Sequence, residues 1–170
     1  GSFILSRLNA PLLSLCFKLI RAGIPANIKG RDVGEHLKYL IKRSSAKDVD
    51  SLLSWVDLWE STEIERRESR GKSADSVKDT AECLRVLSEG RLEIKDVVST
   101  IERMFPYEDG IPKNVVLLSS IHKAKGEEAK VVYILVDTLF LKKGNAQEEK
   151  NLAYVAETRG MQKVVHVRGR

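Results

Sequence analysis

Two short segments of this 170-residue chain concentrate residues able to handle phosphate. The first is Ser119-Ser120-Ile121-His122-Lys123-Ala124-Lys125-Gly126-Glu127-Glu128. Hydroxyls, an imidazole, lysines and a glycine there let backbone and side-chain donors converge on one turn. Glu128 adds an acceptor suited to ribose hydroxyls. By composition alone the same stretch also reads as a polar connecting loop. The second segment runs from Asn151 to Arg159, an apolar face of Leu152, Ala153, Val155 and Ala156 ending in arginine. A cation is favoured at a helix C-terminus in any case. A planar guanidinium can also neutralise charge that develops on a transferring γ-phosphoryl group. Arg7 and Asn9 form a third group. A strand-end arginine beside a helix start suits a backbone phosphate, although Asn9 is also a natural helix cap.

Other candidates carry less. Gly71-Lys72-Ser73 looks like the tail of a phosphate loop, but the glycine required five places upstream is Arg66 and the preceding run is charged. Asp137 ends an apolar strand, as a magnesium-binding acid would. The chain carries no phosphate loop to partner it, so a turn or capping acid is the plainer reading. Trp55 and Trp59 lie four apart on one helix face, which favours core packing, with a base-stacking platform as the alternative. His36 and His166 look incidental. No His, Cys and acid cluster has metal-ligand spacing.

These residues need a scaffold. Phe3 to Ser6 predicts a buried strand. A helix follows from Asn9 to about Ala22, stopped by Gly23, and Ile24 to Lys29 predicts a second strand. From Val33 to Phe105 the period is helical. One stripe is Val49, Leu52, Leu53, Val56 and Trp59. Another is Val77, Ala81, Leu84 and Leu87, with Ser73 as its cap. A third is Ile94, Val97, Val98, Ile101 and Phe105. Glu63 to Lys72 reads as a solvated helix end and loop, and Pro106 to Lys113 as a linker with Asp109-Gly110 turn chemistry. Strands are expected again at Val115–Leu118, Lys130–Val136 and Val164–Val167. A helix from Ala146 to about Thr158, ended by Gly160, precedes the last. The expected fold is α/β, a parallel-sheet domain over 3–32 and 113–170, interrupted by about four helices over 33–112.

Composition agrees. Hydrophobic residues make up 42 % and the net charge is +5, enough apolar content for a core and a mild excess that fits an anionic partner. Cys16 and Cys83 each fall in an amphipathic run and read as buried free thiols. The apolar stretch from Pro11 to Ile24 is broken by Lys18 and Arg21 and is too short to span a bilayer. A cytoplasmic protein with no membrane partner is expected. Gly1-Ser2 looks like a cloning scar, and a chain opening straight into a strand is expected to come from something larger.

In this order the pieces resemble the C-terminal half of superfamily 1 helicases of the UvrD/Rep type. Ser120 to Glu128 is similar to that family's fifth motif, Thr-Ile/Val-His-x-x-Lys-Gly-Leu-Glu. Glu148 to Arg159 resembles the sixth, with its Tyr-Val-Ala-x-Thr-Arg core at Tyr154 to Arg159. Phe3 to Ala10 is similar to the family's strand ending in arginine and then Asn-Ala, and Gly23-Ile24-Pro25 and Gly30-Arg31-Asp32 fit what often follows. The resemblance implies a RecA-like second motor domain with a helical insertion, working with an N-terminal RecA-like domain of the same protein. ATP would lie between the two, with Mg²⁺ held by the missing N-terminal domain. Arg159 would be the arginine finger. Lys125 and Gly126 would line the nucleotide cleft, and Glu128 would touch the sugar. Arg7, Asn9, Ser120, His122 and Lys123 would lie toward single-stranded DNA at a duplex junction, with translocation 3′ to 5′. The resemblance also implies a bacterial or phage-like, nucleoid-associated setting in repair or replication. Alone, the chain would be inactive. Three departures stand out: Glu127 for leucine, Glu157 for an apolar residue and Gly160 for alanine. A non-catalytic nucleic-acid- or protein-binding module of a degenerate motor, or a helicase–nuclease subunit, are the alternatives.

Overall fold

A computed structural model describes residues 2–106, 114–139 and 146–168. The chain forms two compact units, one of residues 1–30 and 106–170, the other of residues 31–105. The predicted Asp109-Gly110 turn lies outside the described residues.

The first unit is a five-stranded parallel sheet. Its strands are β1 (Ser2–Ser6), β2 (Ala26–Lys29), β3 (Val116–Ser120), β4 (Ala129–Leu135) and β5 (Gly160–Val167), in the order β2-β3-β1-β4-β5. Every pairing is parallel, so every connection must cross from one end of the sheet to the other. Helix α1 (Asn9–Arg21) makes the first crossing and helix α6 (Ala146–Glu157) the last. Phe3 and Leu5, two apart on β1, share one face of the sheet. Leu5 is fully buried there with Ile121, Val132, Ile134, Leu152 and Ala156, so α6 and the turn after β3 cover one face together.

The helix α1 differs from the prediction at its start. Asn9 lies inside the first turn, and Leu8 holds the cap position with extended backbone and no side-chain cap. The serine that ends β1 takes over part of that work: Leu8 N–H donates to Ser6 Oγ at 3.1 Å. At the other end Gly23, at φ +76, accommodates the left-handed turn that stops the helix.

The second unit is wholly helical among the described residues: α2 (Arg31–Ser44), α3 (Val49–Glu68), α4 (Asp75–Ser88) and α5 (Ile94–Met104). The apolar stripes account for its core. Leu37, Leu40, Leu52, Val56, Ala81, Leu84, Leu87, Val97 and Ile101 are all essentially inaccessible to solvent. The charged second half of α3 carries no buried residue, as its composition requires. Asp48 caps α3 by a capping box with Ser51, its side chain accepting from Ser51 N–H at 2.8 Å. Ser73 does not cap α4. Ala74 holds that position, and Ser73 Oγ instead accepts from Asp75 N–H at 3.2 Å in a local turn.

Among the described residues no helix is long and apolar enough to cross a membrane. Both cysteines are free and buried. Burial pushes the Cys16 thiol up to about 12, and it raises Cys83 well above its ordinary value, with Asp79 and Glu82 adding to the effect.

Candidate functional site: two ends of one sheet

The carboxyl ends of parallel strands are where ligands gather in open α/β sheets. Here β1 and β3 end together, with Ser6 opposite Ser120. Buried polar side chains collect at this end: Ser6, Ser119, Ser120 and Thr138. Arg7 follows directly. Its backbone N–H donates to Thr138 Oγ1 at 3.0 Å, in the 3₁₀ turn after β4, and Thr138 Oγ1 donates in turn to the Leu135 carbonyl. The Arg7 guanidinium faces the first turn of α6, where Nε lies 2.8 Å from Glu149 Oε1. Both side chains are nearly withdrawn from water, 10 % exposed for Arg7 and 1 % for Glu149. A carboxylate so buried is tolerable only with a charged partner. Arg7 supplies it, and in doing so spends much of its own charge.

Sequence reading did not single out Glu149. Its signal was available, an acid in the first turn of a helix where the dipole favours one. Its partner across the sheet was not legible, because that pairing depends on strand order.

The segment from Ile121 to Glu128 leaves the carboxyl end of β3 and reaches the amino end of β4, passing over β1. Ile121 and Ala124, three apart, are fully buried and pin it to the sheet. Ile121 N–H donates to the Ser6 carbonyl at 2.9 Å, and Ala124 N–H to the Ser120 carbonyl at 3.1 Å. What remains exposed is His122, Lys125, Gly126 and Glu128, while Lys123 is half-buried. Gly126 takes φ +89, where an L side chain is strained, and nothing stands within 4 Å of where a Cβ would point. Its backbone is thus open to close approach. Glu127, the first departure, is paired with Lys29 at the end of β2. Its charge is matched within the protein and is not presented unopposed beside Lys125.

Arg159 sits at the far end of α6, beside this segment. Its Nε donates to the Val155 carbonyl at 3.0 Å, Nη1 to the Glu127 carbonyl at 3.3 Å and Nη2 to Thr158 Oγ1 at 3.0 Å. The Arg159 carbonyl in turn accepts from Ala129 N–H at 3.0 Å, which locks the helix end to the start of β4. All three side-chain partners are neutral oxygens. The guanidinium is oriented, yet its positive charge is left for something else.

Helix α6 ends at Glu157, close to the predicted end, but Gly160 is more than a helix stop. It is the first residue of β5, opposite Ala129, and the strand begins four residues earlier than expected. The register slips between Ala129 and Val131, and in that bulge a Cβ on Gly160 would stand 2.6 Å from Val164 Cγ2 and 3.0 Å from the Lys163 carbonyl. Glycine here answers a lack of space. Glu157 is half-exposed and lies 3.5 Å from His166 Nε2, so this departure also faces a group of its own protein.

The structure therefore splits the sequence candidates into two groups. Arg7 and Ser120 lie at the carboxyl end of the sheet, both shielded, with Asn9 in the first turn of the neighbouring helix and His122 exposed nearby in sequence. Lys125, Gly126, Glu128 and Arg159 lie at or near the amino end of β4. Trp55, Trp59, His36 and Cys83 belong to the helical unit, and both groups belong to the sheet unit. No cluster of His, Cys, Asp and Glu fit to hold a metal occurs among the described residues.

Residues 46–165 match the family described as UvrD-like helicase C-terminal domain. The chain belongs to that family. The match begins in the helical unit and runs through the segments at Ser119–Glu128 and Asn151–Arg159 into β5, leaving β1, α1, β2 and α2 outside it. No curated protein matches the chain. A UvrD-like C-terminal domain is a RecA-like α/β unit, and the five-stranded parallel sheet is of that kind. UvrD-like helicases are ATPases, and the two groups of residues lie in a domain of that family.

Proposed function

We propose that this chain is the second motor domain of an ATP-dependent DNA helicase or translocase, moving 3′ to 5′ on single-stranded DNA. ATP would lie between it and a domain that carries the phosphate loop and holds Mg²⁺. In this reading Arg159 is the arginine finger, Lys125 and Gly126 line the nucleotide cleft, and Glu128 accepts from the sugar hydroxyls. Arg7, Asn9, Ser120, His122 and Lys123 form the part of the DNA track that this domain supplies.

The observation that carries the proposal is the environment of Arg159. Three neutral oxygens fix its guanidinium next to an open glycine turn, and no carboxylate pairs with it among the described residues. That is what a group must look like if it is to meet charge arriving on a phosphoryl oxygen. Arg7 differs. Its charge is matched by Glu149, so its role on the DNA side is to shape the end of the sheet, with phosphate contact shared with that carboxylate. His122 and Lys123, nearer to solvent, carry the electrostatic attraction.

The test is reconstitution. The chain alone is expected to hydrolyse no ATP. Joined to the phosphate-loop half of its parent, it is expected to give hydrolysis that rises with added single-stranded DNA. Hydrolysis by the joined protein that ignores DNA would sink the proposal.

A further inference from the structure

The helical unit contains an open groove of about 440 Å³ between α2, α3 and α4. Its size falls within the roughly 300–1,000 Å³ of small-ligand sites, and its lining is unusual. Flat rings form part of the wall. His36 and Tyr39 of α2 stack with centroids 6.4 Å apart, and Tyr39 is 58 % exposed. Trp59 of α3 lines the same groove and stacks on Trp55, 6.0 Å away at 11°. Arg43, Arg66 and Arg67 surround these rings, against a single carboxylate, Glu63, which Arg66 holds at 3.1 Å. Arg67 Nη1 points to the Ser73 carbonyl at 3.4 Å, a neutral acceptor. The wall formed by α3 and α4 is braced by Arg85 of α4, which spans Glu60 and Asp57 on α3, the latter at 2.8 Å.

Exposed rings beside guanidinium groups match one kind of polymer best. A strand with unpaired bases offers a flat face to each ring and a phosphate to each arginine. An acidic peptide would use the arginines and leave the rings idle. A duplex would satisfy the arginines but keep its base faces hidden. Net positive lining adds charge complementarity to a polyanion. We propose that this groove binds single-stranded nucleic acid, stacking bases on Tyr39 and Trp59 and holding phosphates with Arg43 and Arg67. Every residue involved lies in the helical unit, so the inference does not depend on the roles given to Arg159 or Arg7.

The chain has two tryptophans, Trp55 and Trp59, both in α3. Its intrinsic tryptophan emission therefore reports from this groove. The experiment titrates the whole chain with an oligothymidylate and an oligouridylate of about 16 nucleotides, with a DNA duplex of equal length, and with polyglutamate. Quenching by either single strand, and not by duplex or polyglutamate, is the expected result. Which single strand binds tighter tells DNA from RNA. Tyr39→Ala is expected to weaken the quench by about five- to a hundredfold, while Tyr39→Phe retains it. Arg43→Glu is a second, surface-exposed variant, expected to weaken the quench and flatten its salt dependence. Equal quenching by duplex or polyglutamate, no quench at all, or a quench that Tyr39→Ala leaves intact would each overturn the proposal.

Discussion

Arg7 and Arg159 stand at opposite ends of α6 and are used in opposite ways. Helix α6 has 12 residues, roughly 18 Å, about the length of the strand beneath it. At its start Glu149 reaches back to Arg7, and a pair of charges is buried almost out of contact with water. At its finish Arg159 is held, among the described residues, by two carbonyls and a hydroxyl. The first arginine is neutralised and structural to a large degree. The second is oriented and electrically unspent. Family motifs treat both as functional arginines, and only their surroundings separate them. A charge proposed to meet γ-phosphate must be positioned by groups that do not cancel it.

The contrast can be broken most severely at Glu149. Glu149→Ala leaves Arg7 buried without a counter-charge and is expected to cost about 3–5 kcal/mol. Guanidinium denaturation should show it as a fall in midpoint. Replacing both partners, Arg7→Met with Glu149→Leu, should recover most of that loss. If the single variant is as stable as the parent chain, the pair is not the anchor described here.

Gly160 sharpens the other end. Gly160→Ala forces a Cβ against Val164 and the Lys163 carbonyl and is expected to cost about 1–3 kcal/mol, measured in the same way. The larger consequence should be local, faster amide exchange at the start of β4, where Ala129 N–H is bonded to Arg159. Unchanged exchange there would show that the bulge has room.

Arg159→Ala should then be mild for folding. It removes hydrogen bonds to neutral oxygens on a partly exposed side chain, and a change within about 1 kcal/mol is expected. Arg7→Ala, the same substitution at the other end, should cost several times more, because it removes the guanidinium that lies 2.8 Å from the buried Glu149 carboxylate. Equal costs would erase the distinction between the two arginines.

The smallest effects concern the thiols, where the two units behave alike. Burial holds Cys16 at about 12, so at pH 8 it should react with a thiol reagent about a thousandfold more slowly than a free cysteine, and Cys83, also raised, should be slow as well. The sign of the linked stability follows. Raised thiols stay protonated in the folded chain while the unfolded chain loses protons above about pH 9, so their contribution is intact below that pH. It should decline as pH rises from about 9 toward 12. Rapid labelling of the native chain at pH 8 would contradict the burial of both.

Much of this was legible in the sequence because much of it is local. The stripes at Val77, Ala81, Leu84 and Leu87, and at Val97 and Ile101, set the helices of the second unit by spacing alone. The apolar runs at Phe3–Ser6 and Val115–Leu118 marked strands, and the sixth-motif core marked α6. What escaped was non-local or steric. Asn9 looked like a cap, but Ser6 at the end of β1 bonds the Leu8 N–H, and the helix begins at Asn9. Gly160 looked like a helix stop, although the bulge opposite Ala129 is what excludes a side chain. Glu127 stood out only as a departure from the family's leucine, and its pairing with Lys29 depends on β2 lying beside β3. Glu149 is the clearest case, since its meaning lies in Arg7, just past the end of β1, which sequence spacing could not place next to it.

The central claim concerns Arg159 as the group that meets the γ-phosphate. The direct measurement is the ATP turnover of the reconstituted two-domain protein, on saturating single-stranded DNA, with Arg159 and with Arg159→Ala. A fall of roughly 10³–10⁵ in kcat is the predicted result, with folding stability nearly unchanged. Turnover within a few-fold of the parent, in a variant that folds and binds nucleotide, would contradict it.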